Sequence, residues 1–151
     1  EEKELGTAGS LSLIKNISTN YVLLLNSDLF TNVDFEEMYI SLSKNKADMV
    51  VSSKDYNIDI PYGVLGTNNN RINSFEEKPT FRYFTNAGIY MFNKNYIKKI
   101  PNNTYFNVTD LIDLLISEDK KLIHLPIRGY WIDIGNPIQY KNAQEFTKYF
   151  K

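Results

Sequence analysis

The chain contains no cysteine, which excludes a disulfide framework, thiolate metal sites and a cysteine nucleophile together. A reducing cytosol suits that composition best. Histidine occurs once, as His124 between Ile123 and Leu125. With no Ser or Cys partner evident from the sequence, it reads as a structural strand residue. No basic block gathers anywhere: 17 Lys and Arg face 18 Asp and Glu, for a net charge of −1. The electrostatic footprint of a nucleic-acid binder is therefore missing. Long apolar runs are missing too, since Tyr21-Val-Leu-Leu-Leu25 falls far short of the roughly 20 residues that span a bilayer. Glu1-Glu-Lys-Glu4 lacks the basic-then-apolar order of a signal peptide. No repeat, linker or low-complexity stretch divides the chain. At 151 residues it is expected to form a single domain, 1–151, cytoplasmic and without nucleic-acid or membrane partners.

What is present is an alternation of strand and helix patterns. Tyr21 to Leu25 is continuously apolar and ends in Asn26-Ser27-Asp28, the pattern of a strand buried on both faces of a parallel sheet. Gly9 to Ile17 can form a short helix before it. Asp34 can cap a helix on which Phe35, Met38, Tyr39 and Leu42 recur at helical spacing. Asp48 to Val51 is a second buried strand, and Tyr62–Leu65 with Ile72–Glu76 reads as a hairpin around Asn68-Asn-Asn70. Asn86 to Phe92 is a further strand, followed by a helical turn toward Pro101. Thr109 precedes an apolar helix, Leu122–Leu125 and Tyr130–Gly135 supply two more strands, and Pro137 opens a closing helix to Phe150. The expectation is a three-layer α/β fold of Rossmann-like kind, with a mixed, mostly parallel sheet.

In open α/β sheets ligands bind beyond the carboxyl ends of the strands. Asp28 stands at such an end and is a candidate ligand for a hard cation such as Mg²⁺, although a helix-cap or turn role is equally open on that feature alone. Asp133, in Tyr130-Trp-Ile-Asp-Ile-Gly135, would lie on a strand face opposite Ile132 and Ile134, with Trp131 sharing its polar face. A charge in such a run is costly unless paired or on a metal. Two such acids can share one Mg²⁺ whose shell phosphate oxygens complete. In Glu76-Glu-Lys-Pro79 the proline ends the strand. Lys78 suits a phosphate and Glu77 suits vicinal sugar hydroxyls, against the alternative of a solvated turn. Leu5-Gly-Thr-Ala-Gly9 would let backbone N–H groups approach a base or phosphate, but no Gly-Lys-Ser/Thr follows to make a Walker loop.

These elements occur in one order: Leu5-Gly-Thr-Ala-Gly9, Asn26-Ser-Asp28, Pro61-Tyr-Gly63, Glu76-Glu-Lys-Pro79, Asn86-Ala-Gly-Ile-Tyr90 and Tyr130-Trp-Ile-Asp-Ile-Gly-Asn-Pro137. In that order the chain resembles the sugar-1-phosphate nucleotidyltransferases, and the resemblance reaches from residue 1 to residue 145. It implies Asp28 and Asp133 as the Mg²⁺ ligands and Lys78 on the sugar phosphate. It further implies Glu77 on sugar hydroxyls, and Gly63, Asn86, Ala87 and Gly88 lining the sugar pocket. Gly6 would lie against the nucleobase, with Glu1 where the family places a base-reading side chain. Ser27 departs mildly, since many relatives carry Gly there.

The implied reaction joins a sugar-1-phosphate to the α-phosphorus of a nucleoside triphosphate and releases pyrophosphate, a step of nucleotide-sugar and polysaccharide biosynthesis. Glu1 with Leu5-Gly-Thr-Ala-Gly9 and Pro126-Ile-Arg-Gly-Tyr-Trp131 is most like the guanylyltransferase branch, so GTP is the expected donor, with a dTTP-dependent thymidylyltransferase as the alternative. The family's triphosphate-gripping segment precedes the elements matched here. The chain is thus expected to be the C-terminal part of a catalytic domain, incomplete at its N-terminus and inactive alone. Its uncovered sheet edge is expected to favour association, including a homo-oligomer. Two further readings stay open: a nucleotide-sugar-dependent glycosyltransferase, disfavoured by Asn26-Ser-Asp28 in place of Asp-x-Asp, and a non-catalytic nucleotide-sugar-binding subunit.

Overall fold

In a computed structural model, residues 2–148 are described. Glu1 and the end of the closing helix expected to reach Phe150 lie outside them. In chain order the elements are α1 (Gly6–Gly9), a 3₁₀ turn (Ser10–Leu13), β1 (Tyr21–Leu25), β2 (Leu29–Thr31), α2 (Phe35–Lys44) and β3 (Met49–Asp59). Then come β4 (Val64–Asn68), β5 (Arg71–Glu76), β6 (Thr80–Asn93) and a second 3₁₀ turn (Lys94–Lys99). The chain closes with α3 (Val108–Ser117), β7 (Leu122–Pro126), β8 (Trp131–Asp133) and α4 (Pro137–Thr147). Among the described residues no helix is long and apolar enough to cross a membrane.

The central sheet runs β1-β6-β3-β7. β3 and β7 are parallel, while β6 is antiparallel to both its neighbours. Strands β1, β3 and β7 therefore point one way and β6 the other, so the sheet is mixed. Alternation along β3 and β6 divides the core in two. Met49, Tyr90 and Phe92 face one way, packing with Ala8, Leu11 and the α3 residues Val108, Leu111 and Leu115. Val50, Ile89 and Met91 face the other way, against Met38 and Leu42 of α2. Helices on both faces of a mixed sheet make the three-layer α/β arrangement.

The helix starts follow from local chemistry. The Asp34 carboxylate accepts from the Glu36 and Glu37 amides at 2.8 and 3.1 Å, satisfying donors that a first turn leaves orphaned. Asn136 does the same for Ile138 and Gln139, with Pro137 at the position where a missing N–H costs nothing. Helix α3 begins earlier than Thr109 suggests. Its N-cap is Asn107, whose own amide donates to the Asp110 carboxylate at 2.7 Å.

Three further expectations are corrected. β1 is an edge strand with β6 as its one neighbour among the described residues, and Leu23 and Leu25 are 36% and 44% exposed. The apolar run here belongs to a strand with the face of Leu23 and Leu25 partly open, not to one buried on both faces. The helix predicted over 9–17 begins instead at Gly6 and gives way to a 3₁₀ turn that ends at Leu13. His124 does have a partner, since its Nδ1 lies 2.9 Å from Ser53 Oγ, and the Phe84 ring packs on the imidazole at 4.6 Å between centroids.

Beyond the sheet, β3 and β6 continue as a two-stranded ribbon from Ser53–Asn86 to Asp59–Thr80. One face holds Asp55, Asn57, Arg82 and Phe84, with Arg82 ion-paired to Asp55 and lying over the Phe84 ring. The hairpin β4–β5 turns at Asn69, which has φ 51°, a conformation asparagine tolerates better than most residues.

Candidate active site

The site is built where β1 stops. After Leu25 the chain passes through Asn26-Ser27-Asp28 and at once forms β2, which pairs antiparallel with β8 so that Leu29 stands opposite Asp133. The Asp28 carbonyl accepts from the Ile134 amide at 2.8 Å. Two acids remote in sequence are thereby held at neighbouring positions of one short ladder. Both are exposed, and the carboxylate of neither enters a hydrogen bond or an ion pair among the described residues.

A break in β6 shapes the next wall. Val51 pairs with Tyr90 and Ser53 with Asn86, so Ala87, Gly88 and Ile89 occupy the space opposite the single residue Ser52. This bulge turns the Asn86–Gly88 segment away from β3 and toward the end of β1, the re-aiming that bulges provide beside sites. The Asn26 amide donates to the Gly88 carbonyl at 2.9 Å. Gly88 has φ +73°, and a Cβ built there would come within 2.8 Å of Asn26 Nδ2. Glycine is the residue that meets both conditions without strain.

Asn86 is fixed from below. Its Nδ2 donates to the Tyr90 hydroxyl at 2.8 Å and its Oδ1 accepts from the Gly88 amide at 3.0 Å. Burial raises the Tyr90 pKa, while the Asn86 hydrogen bond pulls it back in part, so the hydroxyl stays protonated and available to this network. Ala87 is buried, and its carbonyl accepts from Trp131 Nε1 at 2.8 Å. Alternation puts Trp131 and Asp133 on one face of this three-residue strand, but that face is not polar throughout as expected: Trp131 packs on the apolar cluster around Met38 and Val50, while Asp133, at the ladder's end, is exposed.

The glycine-rich loop forms the third wall. Gly6, with φ +73°, faces the Phe106 carbonyl, which a Cβ would approach to 2.9 Å. At Gly9 a Cβ would meet the Thr104 carbonyl at 2.6 Å. The loop lies tight against the approach to α3 because glycine stands at both contact points. Thr7 is carried into a pocket of about 330 Å³ that it lines with Leu25, Asn26, Ser27 and Asp28.

Glu77 and Lys78 lie apart from these three walls, in the turn between β5 and β6. Both are exposed, and Lys78 adopts φ 46°, an uncommon conformation for a residue with a side chain. Gly63 is near them, since a Cβ there would sit 2.6 Å from the Phe75 ring and 3.2 Å from Glu77 Oε2. The structure thus groups Gly63 with Glu77, and groups Gly88 with Asn26 and Asp28 with Asp133. No hydrogen bond or ion pair among the described residues joins the first group to the acids. Thr7, Asn107 and Trp131 were not singled out from the sequence as site builders. Thr7 stands inside the glycine-rich motif, but nothing in the pattern around Asn107 points across the chain to it.

Two exposed carboxylates without partners among the described residues, Asp28 after β1 in a pocket shared with Thr7 and Asp133 across the short ladder from Leu29, suit a divalent cation that keeps open positions for phosphate oxygens. The model of the nucleotidyl transferase family matches residues 1–149. The chain belongs to that family. Glucose-1-phosphate adenylyltransferase of Bacillus cytotoxicus is 31% identical over 150 residues, which cover 86% of this nucleotidyl transferase chain and 39% of that protein. Among solved structures, HddC from Yersinia pseudotuberculosis superposes with a TM-score of 0.69 at 26% identity, covering 97% of this chain and 64% of HddC. HddC complexed with GMP-PN gives a TM-score of 0.68 at 25% identity over the same shares. The chain spans about two-fifths of the length of the curated relatives it matches.

Proposed function

We propose that this chain carries metal-, sugar-phosphate- and base-binding elements of a site that transfers a nucleotidyl group to a sugar-1-phosphate. The single observation that supports it most is the β2–β8 ladder, which sets Asp133 opposite Leu29 and ties Asp28 to Ile134. Family membership gives that pair of acids its chemical context.

In this reading Asp28 and Asp133 hold Mg²⁺, which when bound neutralises phosphate charge. Hard oxygen donors in a pair, with no third acidic or histidine group among the described residues, fit an ion that uses one or two carboxylates and fills its shell from substrate. The Asn86–Gly88 bulge and Gly63 line the sugar, Glu77 accepts from vicinal hydroxyls, and Lys78 pairs with the sugar phosphate as a mobile point charge. The loop at Gly6 receives the base. The sugar-1-phosphate oxygen attacks the α-phosphorus in line, the bond to the pyrophosphate oxygen breaks, and pyrophosphate leaves. None of the named side chains forms a covalent intermediate. Positioning and charge neutralisation supply the rate.

GTP is the proposed donor. Glu1 can accept from the guanine N1–H and exocyclic amine, a pair of donors that thymine lacks, and HddC has been obtained with GMP-PN. ATP is the competing choice, because the curated relatives bear the name glucose-1-phosphate adenylyltransferase. Pyrophosphate release with Mg²⁺, each of GTP, ATP and dTTP, and a panel of sugar-1-phosphates tests the reading, alongside calorimetric titration of the folded chain with the corresponding nucleotide-sugars. Turnover, or Mg²⁺-dependent nucleotide-sugar binding, that disappears in Asp28→Asn and Asp133→Asn supports it. A folded protein that neither turns over nor binds any of these ligands would sink it. Binding without turnover favours the non-catalytic subunit.

A further inference from the structure

At the opposite end of β1 from Asp28, the sheet closes at Tyr21, which pairs with Asn93. The strand alone separates the two ends by at least about 13 Å. A cavity of about 310 Å³ opens there between residues 14–17 and the 3₁₀ turn Lys94–Lys99. Its lining includes Lys15, Lys94 and Lys98 over Ile14, Ile17 and Ile97, and it contains no acidic residue.

Among the described residues none of the three lysines has a carboxylate partner. Among the described residues the ion pairs are Arg82–Asp55 and Lys99–Glu118, so the adjacent Lys99 is neutralised while Lys98 is not. Lys94 is partly buried, and its ammonium donates to the Ile17 carbonyl at 3.1 Å. An ammonium has three donors, and that bond accounts for one. Withdrawing a charge from water without a counter-ion is unfavourable. An anion seated between Lys15, Lys94 and Lys98 would relieve both the unused donors and the mutual repulsion of the three charges.

We propose that this cavity is a second ligand site, for a small phosphate monoester. The phosphoryl group would take the lysines, and the organic part would lie on the three isoleucines. A bare oxyanion would use only the first half of that lining, whereas the isoleucine floor gains from a carbon-bearing ligand. Two of the lysines are exposed, so screening keeps the affinity in roughly the millimolar range and makes it fall with added salt.

Residue-resolved ¹H–¹⁵N spectra of the chain, titrated at low salt with inorganic phosphate and separately with glycerol phosphate, test this directly. Saturable shifts are expected at the Asn16, Asn95 and Ile97 amides, distinct from any at Asn26 to Asp28, with the ester binding more tightly than free phosphate. Lys94→Gln should weaken the response about fivefold or more. Because Lys94 also ties residues 14–17 in place, the double variant Lys15→Gln/Lys98→Gln serves as an independent check that leaves that bond intact. No saturable shift at the cavity, or shifts unchanged in both variants, would overturn the site. Equal affinities for phosphate and its ester would overturn the ester assignment. The outcome is independent of catalysis, because the amides of residues 26–28 report on the other site in the same spectra.

Discussion

Thr7 and Asn107, one hundred positions apart, hold each other in place. The Thr7 amide donates to Asn107 Oδ1 at 3.2 Å, and the Val108 amide donates to Thr7 Oγ1 at 2.9 Å. The N-cap residue of α3 therefore also anchors the glycine-rich loop, while the Thr7 hydroxyl satisfies one of the helix's own orphan donors. Asn107→Ala is expected to cost about 1 kcal/mol of stability, as cap losses do, seen as a lowered Tm. It should also weaken nucleotide binding more than sugar-phosphate binding, because the loop, and not the β6 bulge, loses its support. Calorimetric titration with each ligand separates the two effects. Equal losses for both would assign Asn107 a purely structural role.

Gly6 and Gly88 share φ +73° but differ in what obstructs a side chain. At Gly6 the obstacles are Asn107 Oδ1 at 2.8 Å and the Phe106 backbone carbonyl at 2.9 Å, whereas at Gly88 the nearest is the side-chain amide of Asn26. A left-handed conformation costs a non-glycine residue about 1–2 kcal/mol in either case. Gly6→Ala should therefore lower Tm more than Gly88→Ala, since Asn26 can rotate and a carbonyl bonded to the Ala8 and Gly9 amides cannot. Chemical denaturation of the two variants gives the order directly. The reverse order would mean that Asn26 is less free to move than its position suggests.

The parts of this fold that were legible in the sequence are those with a local signature. Asp34 before an amphipathic run, Asn136-Pro137 before another, and the Asn-rich turn at 68–70 each announce themselves by chemistry within four residues. β1 was legible as a strand but not as an edge, because an apolar run records that a face will be covered and not by what. The long ribbon of β3 and β6 was hidden for a different reason. Its residues Tyr56, Ile58, Phe81 and Tyr83 remain exposed, so the segment is set by backbone pairing across the bulge and not by burial. Asp28 is legible as an acid at a strand end and Asp133 as an acid within an apolar strand, but their neighbouring positions are a product of the β2–β8 ladder, whose six residues are too few for a periodicity. The Ser53–His124 contact and the Thr7–Asn107 clamp are single long-range meetings of polar side chains, which no repeat in one sequence encodes.

The adjacency of Asp28 and Asp133 predicts an effect that depends on metal. Neither carboxylate has a hydrogen-bond or ion-pair partner to lose among the described residues, so Asp28→Asn or Asp133→Asn in metal-free buffer should leave Tm unchanged to within a few tenths of a kcal/mol. Added Mg²⁺ should stabilise the parent protein through binding to the folded state alone and have little effect on either variant. Thermal melts with and without 10-fold steps of Mg²⁺ would show it. A variant that retains the full Mg²⁺ response does not carry a ligand position.

Tyr96 gives the fold a limit at high pH. Its hydroxyl donates to the Asp48 carboxylate, and Asp48 also accepts from the Lys121 amide at 2.8 Å, joining the turn after β6 to the start of β7. Burial, the Asp48 hydrogen bond and the negative charges of Asp48 and Glu118 together push the Tyr96 pKa up to about 12 from 10.0. The protonated phenol is the form the folded state favours. Its contribution is present in full below the unfolded value near pH 10 and is lost as pH rises through about 12, because the folded state then binds more protons than the unfolded one. Stability should decline over that window, and Tyr96→Phe should flatten part of the decline while lowering stability at pH 7, where the hydrogen bond to Asp48 is intact. Buried Tyr90 is raised in the same direction and adds to the decline, so Tyr96→Phe/Tyr90→Phe should be flatter still. Denaturant midpoints measured from pH 8 to 12 check both, and a decline of equal steepness in all three proteins would place its origin outside these two phenols.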